Sequence, residues 1–465
     1  AGAFTTLPQF LSDRFDEGLR RMTVVLFMVG YGLVTIPGVL YSGSIAVLQL
    51  FDIPSLISVS YSQGLVITII IVGCIGAMYA IFGGLRAVAV SDTLNGIGLL
   101  IIGVLVPTLG LSALGDGSIS AGIQIITSSE TEKLNAIGSS NDPTPFGTLF
   151  TGMIFANLFY WCTNQYVIQR TLAAKNLAEG QKGVLFSGFF KVLVPFLMMI
   201  PGVIAFHLYG SGMESIDLAY PALIRDVLPK YMAGFFLAVL LGAVFSSFNS
   251  LINSAATLFC LDIYSPWKNG SVDEAEMVKV AKVASVLIAI FSFIVAPLLQ
   301  YAPEGLWQVM RIFTGFYNIP VIAIVVVGLF TRHVPALGPK IVILFHIVAY
   351  SLLQFVFSDY VNIHFIHLYA ILFLLEVGIM LLIGYLLPRE TMWTFRKKEL
   401  IDLSPWKYAP PCAVSLLSCV VGVYLLFSPI GLVDGMSAYF APLVALLIVL
   451  NSITWYRYAT KVESV

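Results

Sequence analysis

Residues 242–254 read GAVFSSFNSLINS, and six of the thirteen carry a hydroxyl or an amide: Ser246, Ser247, Asn249, Ser250, Asn253 and Ser254. They lie inside one apolar run from Tyr231 to about Cys260. A polar side chain there costs free energy unless it finds a partner. Ala243, Ser246 and Ser247 are spaced i, i+3, i+4 and share one helix face. That face offers two hydroxyl oxygens and a backbone carbonyl, neutral ligands that suit a small alkali cation. The competing reading is mechanical. Small polar residues let helices approach closely, and serines bond back to the carbonyl four residues earlier.

A second group lies in FANLFYWCTNQYVIQRTLAAK, residues 155–175. Asn157, Tyr160 and Asn164 fall at i, i+3, i+7 on one helical stripe. An amide bonds sugar hydroxyls while an aromatic ring covers the apolar face of a pyranose, and Gly152 upstream would permit local unwinding. A polar seam between helices explains the same pattern. Lys191, in SGFFKVLVPF, lies roughly 12 Å into its apolar segment. It is either a functional cation or a lysine that snorkels to the surface. Arg311, in GLWQVMRIFTGFYNIP, needs a partner: Asp92, in AVAVSDTLNGIGLL, or a substrate. Glu376, in FLLEVGIM, is expected in a structural ion pair. The five histidines (His207, His333, His346, His364, His367) do not cluster, so surface or packing roles are expected of them.

Composition says what must position these groups. Of 465 residues, 58% are hydrophobic and only 11% charged, against about 25% charged in soluble domains. The chain therefore belongs in lipid, and its net charge of −1 argues against a nucleic-acid partner. Its five cysteines are scattered, without metal-ligand spacing. Twelve apolar stretches are long enough to cross a bilayer: 22–50, 63–82, 86–114, 147–168, 183–209, 231–263, 276–300, 304–330, 337–357, 363–387, 409–428 and 437–458. Pro37 and Pro107 are expected to kink two of them. Alternating the loops from a cytoplasmic 1–21 puts nineteen of the 24 Lys and Arg inside; Lys133, Arg225 and Lys230 fall outside, and Lys191 and Arg311 fall within spans. That bias is what orients membrane proteins.

The stretches TNQYVIQRTLAAK (163–175), GAVFSSFNSLINSAATLFCLDIY (242–264) and GGLRAVAVSDTLNGIG (83–98) resemble the solute:sodium symporter family, and within it the bacterial sodium/galactose and glucose cotransporters. The similarity runs from residue 1 to about residue 388. It implies an all-α membrane protein with a LeuT-type inverted-repeat bundle, about twelve transmembrane helices lying in this chain. Residues 1–21 would be a cytoplasmic amphipathic segment, 22–114 the remainder of the first repeat, 147–330 the second repeat and 337–458 accessory helices. The family's N-terminal helices, one of them broken and shared by both sites, would precede residue 1. By matching position, Ala243, Ser246 and Ser247 would hold sodium, and Asp92 would line the sodium exit path. Asn157 and Lys191 would bond sugar hydroxyls, Tyr160 would stack on the sugar as inner gate, and Trp307 would take an outer-gate position. Arg311 stands where the galactose transporter has a sugar-contacting Gln, and a guanidinium there suits an anionic sugar.

The expectation is sodium-coupled import of a sugar, possessing no covalent step, by a multi-pass protein of the cell (inner) membrane. Its partners would be the sugar, the co-transported sodium ion and the bilayer. The alternatives are a sodium symporter of a carboxylate, amino acid or nucleobase, or a symporter-like membrane sensor; a membrane enzyme fits least.

Overall fold

Backbone in hydrocarbon must satisfy its own hydrogen bonds, so apolar runs fold as helices. In a computed structural model of the chain, residues 6–213, 216–268, 270–301, 305–394 and 402–460 are described, apart from the side chains of 80–91 and 169–170. Among the described residues every regular element is helical. In chain order those used below are α1 (Leu7–Arg14), α2 (Glu17–Phe51), α3 (Tyr61–Leu114), α4 (Gly152–Cys162), α5 (Gln165–Leu172), α6 (Leu177–Tyr209) and α7 (Lys230–Trp267). Then follow α8 (Glu274–Tyr301), α9 (Leu306–Phe330), α10 (Leu337–Val356), α11 (Phe365–Leu386), α12 (Ala409–Leu426) and α13 (Phe440–Thr460).

Eleven segments among the described residues have the length and hydropathy of a crossing. They coincide with eleven of the twelve predicted spans. The twelfth, 147–168, is interrupted between α4 and α5.

Helix starts lie earlier than the apolar windows. Asp16 accepts from the Leu19 N–H (2.8 Å) and Asn176 from the Glu179 N–H (2.9 Å). Such N-caps begin a helix in its polar first turn, so the 1–21 segment contains α1 and the start of α2. A π turn over Tyr31–Thr35 precedes Pro37, the residue that cannot donate to the ladder.

The predicted spans 63–82 and 86–114 are joined in α3. Along a straight helix Gly76 and Asn95 would stand about 28 Å apart. Yet a Cβ on Gly76 would touch Phe245 of α7 (3.1 Å), while Asn95 lies against Gly242, one turn away. So α3 bends between them, and the two spans are its arms.

Contacts divide the chain into two compact units, one of Ala1–Gly96, Gly147–Gln169 and Leu237–Leu400, the other of Ile97–Phe146, Arg170–Phe236 and Ile401–Val465. In the first, α9 is the central helix, buried from Tyr317 to Val325. It admits close neighbours at small residues: a Cβ at Gly315 would collide with the Tyr369 ring of α11. Phe155 of α4 stacks on Phe373 of α11 at 3.8 Å. In the second unit α6 packs on α12 and α12 on α13. The Gln181 side chain accepts from the Trp406 N–H (2.7 Å).

Segments predicted to share the cytoplasmic side meet in the first unit. The Arg14 guanidinium is buried and donates to the carbonyls of Gly328 (2.9 Å) and Thr331 (3.1 Å) at the end of α9. Burial, then the nearby Arg389 charge, pulls its pKa down to about 10, still protonated at neutral pH. Arg20 donates to Asp262 Oδ1 (2.7 Å), Thr6 donates to Asp262 Oδ2 (2.9 Å), and Lys340 pairs with Asp16. The side chains of Arg86, Arg170, Arg396, Lys397, Lys398 and Lys461, all assigned inside, lie outside the described residues.

Candidate solute and cation site

The interruption in 147–168 is built by Thr163 and Asn164. Both backbone N–H groups return to the Phe159 carbonyl (3.0 Å each), and the Thr163 hydroxyl joins them at 2.8 Å. The Asn164 carbonyl then accepts from Val167 and Ile168 (3.1 and 3.0 Å) and starts α5. Side-chain and backbone bonds thus replace the helical ladder, the condition for irregular backbone at membrane depth.

This refines two expectations. The helix is interrupted at Thr163–Asn164, and the break expected near Gly152 falls one residue before it, at Thr151 (φ −124°, ψ −116°), between a 3-10 turn over Phe146–Phe150 and α4. A Cβ on Gly152 would collide with the Ile366 carbonyl, so that glycine serves the close approach of α4 to α11. Asn164 also leaves the stripe of Asn157 and Tyr160. It is buried, and its Oδ1 accepts from the Tyr31 hydroxyl of α2 at 2.8 Å. Around this bond stand Phe27, Phe159, Tyr166 and Tyr317, with ring centroids 5.7–6.4 Å apart. The Thr35 and Tyr317 hydroxyls approach to 3.3 Å. Asn157 is exposed on α4 and donates to the Met153 carbonyl (2.9 Å). Tyr160 is half-buried, its ring edge-on to Tyr166 at 5.8 Å.

On α7 the serines separate into two kinds. Ser250 donates to the Ser246 carbonyl (2.8 Å), and Asn253 donates to Asn249 Oδ1 (2.8 Å). Ser254 and Asn249 are fully buried. By contrast Ser246 is half-buried and Ser247 exposed, and among the described residues neither hydroxyl makes a hydrogen bond. Both keep their lone pairs open. Ala243 is half-buried one turn earlier, beside the contact of Gly242 with Asn95 of α3. Asp92, half-buried on α3, is one turn from Asn95.

Arg311 lies half-buried on α9, donates to Gln308 Oε1 (3.1 Å) and stands 5.5 Å from the Phe365 ring centroid. Trp307, one turn earlier, is 70% exposed. Lys191 is exposed on α6, in the second unit. Glu376 has a buried side-chain partner, and that partner is His346, which sequence reasoning had set aside. Tyr31 was missed as well. One signal for His346 was present: FHIVAY and FLLEVGIM each put a single ionisable residue in an apolar run, and two such residues tend to find each other.

Three comparisons bear on these features. The family model described as the sodium:solute symporter family matches residues 1–339. YidK of Escherichia coli (strain K12), described as an uncharacterized symporter, is 42% identical over 419 residues, 90% of this chain and 73% of that protein. The sodium/glucose cotransporter of Vibrio parahaemolyticus is 30% identical over 356 residues, 72% of this chain and 63% of that protein. Sodium/myo-inositol cotransporter 2 of Homo sapiens is 28% identical, with 52% of its length covered, so the chain spans only about half to three quarters of these relatives. Among solved structures, a Na+-coupled sialic acid symporter in a substrate-bound outward-open state matches with a TM-score of 0.69 at 20% identity, covering 83% of this chain and 78% of that one. That likeness is one of fold, and it bears out the helical bundle expected from sequence. The chain belongs to the sodium:solute symporter family, a family of membrane transporters with sodium as the co-transported ion.

Proposed function

We propose that the protein imports a sugar together with sodium, by alternating access across the cell (inner) membrane. The observation that carries this reading is the pair of open hydroxyls on α7. Serines with a packing role bond back to the preceding turn, as Ser250, Ser285 and Ser292 do. Ser246 and Ser247 do not, and with the Ala243 carbonyl they supply oxygens to a cation that needs no charged ligand. Sodium bound there favours the outward-open arrangement and completes the solute site. Differential affinity of the two arrangements then couples the movements. Asn157 bonds sugar hydroxyls and Tyr160 covers the ring as inner gate. Trp307 takes the outer gate, and sodium leaves past Asp92.

Arg311 favours a second, narrower reading, in which the sugar is anionic. Its guanidinium lies on the membrane-embedded part of α9, held by Gln308 and the Phe365 ring. A half-buried guanidinium of this kind suits a carboxylate. The test is uptake by the full-length protein in proteoliposomes, with neutral and acidic sugars, under an imposed sodium or potassium gradient. Sodium-stimulated uptake of a sugar is expected. Equal uptake with potassium would remove the coupling, and uptake confined to amino acids, nucleobases or simple carboxylates would replace the sugar.

A further inference from the structure

His346 of α10 and Glu376 of α11 are both fully buried. His346 Nδ1 lies 2.5 Å from Glu376 Oε1, and His346 Nε2 lies 3.1 Å from the Gly315 carbonyl oxygen of α9. A carbonyl only accepts, so Nε2 carries a hydrogen. Nδ1 and Oε1 then face each other and need one proton between them. Either an imidazolium donates to a carboxylate, or a carboxylic acid donates to a neutral ring. Without that proton two lone pairs would oppose each other in a dry interior. The other carboxyl oxygen, Glu376 Oε2, is buried with no hydrogen-bond partner among the described residues. A permanently ionised carboxylate would need more donors than this.

The pair is also part of a clamp. His346 donates to the carbonyl of Gly315, Tyr350 of α10 to that of Ile312 (3.0 Å), and Tyr369 of α11 to that of Arg311. Three side chains from two helices thus hold one turn of α9, the helix that carries Trp307 and Arg311.

From these contacts we infer that His346 and Glu376 form a proton-binding site, separate from the sodium and sugar residues. Its single shared proton locks α9 to α10 and α11 and makes transport sensitive to pH. The link to transport rests on the proposed function; the proton site does not. The other titratable or charged groups in the membrane part of the elements packed here are Arg311 and Tyr317 of α9, Tyr350 of α10, His367, Tyr369 and Tyr385 of α11, Tyr31 and Tyr41 of α2, and Tyr160 and Cys162 of α4. Phenols and guanidinium groups in water titrate at about pH 10 or above, beyond the range used below. Cys162, which is exposed, and His367, whose Nδ1 lies 2.8 Å from the Thr151 hydroxyl, are controlled by Cys162→Ala and His367→Gln.

The experiment follows unfolding of the full-length protein in mixed SDS micelles from about pH 6 to about pH 9.5, beside sodium-driven uptake over the same range. In the wild type one step is expected. Between the pH at which the unfolded chain gives up this proton and the higher pH at which the native state does, the unfolding equilibrium constant rises about tenfold per pH unit; above both it is level. Glu376→Gln keeps a donor toward Nδ1, so it should fold and lack the step. His346→Gln is the second variant, should the first not fold. A wild type without the step overturns the site, as does a step that survives unchanged in either folded variant. A step in unfolding that leaves uptake flat overturns the lock on α9. Loss of sodium stimulation at every pH would strike the transport reading alone, because the unfolding measurement does not depend on it.

Discussion

Ser250 and Ser246 stand one turn apart on α7, yet the first spends its hydroxyl on a carbonyl and the second keeps it open. The replacement of both Ser246 and Ser247 by Ala should therefore separate binding from folding. Stability should move by less than about 0.5 kcal/mol, because no internal bond is lost. Sodium affinity, read from the sodium dependence of uptake, should fall tenfold or more, about 1.4 kcal/mol. Full sodium dependence in the double variant would contradict the cation site. Arg311→Gln should shift preference from acidic to neutral sugars in competition assays, and unchanged selectivity would discard the anionic reading. Tyr31→Phe removes the donor to Asn164 and leaves a buried amide oxygen unpaired, a loss of about 1–3 kcal/mol in unfolding free energy. The paired serines and the stripe of Asn157 and Tyr160 were legible because their meaning lies in local spacing. The bond of Tyr31 to Asn164 was not, since 133 residues separate them and neither residue type is unusual in an apolar run.

Hydropathy located the crossing helices because burial in lipid is read from a window of side chains. It could not place their first turns, which are polar and set by Asp16 and Asn176. Nor could it locate the interruption between α4 and α5, where the signal is a short Thr-Asn pair inside an otherwise helical pattern. Gly152 looked like the breaker because glycine lowers helix propensity. The structure starts α4 at this glycine, after a non-helical Thr151, and also gives it a packing role, with α11 too near for any side chain. Gly152→Ala should consequently act as an overpacking substitution. A loss of about 1–3 kcal/mol is expected, read as a lower melting temperature, with helix content by circular dichroism unchanged. A variant as stable as the wild type would mean that α4 and α11 do not approach so closely.

Charge distribution, which oriented the chain on paper, also acts across the first unit. Segments before residue 21, around 262 and at 328–340 are far apart in sequence, yet Arg14, Arg20, Lys340 and their acceptors knit them together. Arg20 with Asp262 is the pair on which this end depends most. The Asp262 side chain is wholly buried and that of Arg20 only 13% exposed. Leaving one partner of such a pair alone costs about 3–5 kcal/mol, whereas removing both charges costs far less, since no bare ion stays behind. Arg20→Gln should therefore destabilise the protein strongly, and Arg20→Gln with Asp262→Asn should recover most of the loss, as measured by a double-mutant cycle in unfolding free energy. In transport, opening of this end is the step at which sodium and solute would leave. The double variant, folded but with a weaker tie, should then release solute more readily and accumulate less of it at steady state, while initial uptake is retained. If the double variant were as unstable as the single one, the ion pair would not be what holds these segments. If it were stable and still accumulated solute like the wild type, the tie would hold the fold without taking part in the opening.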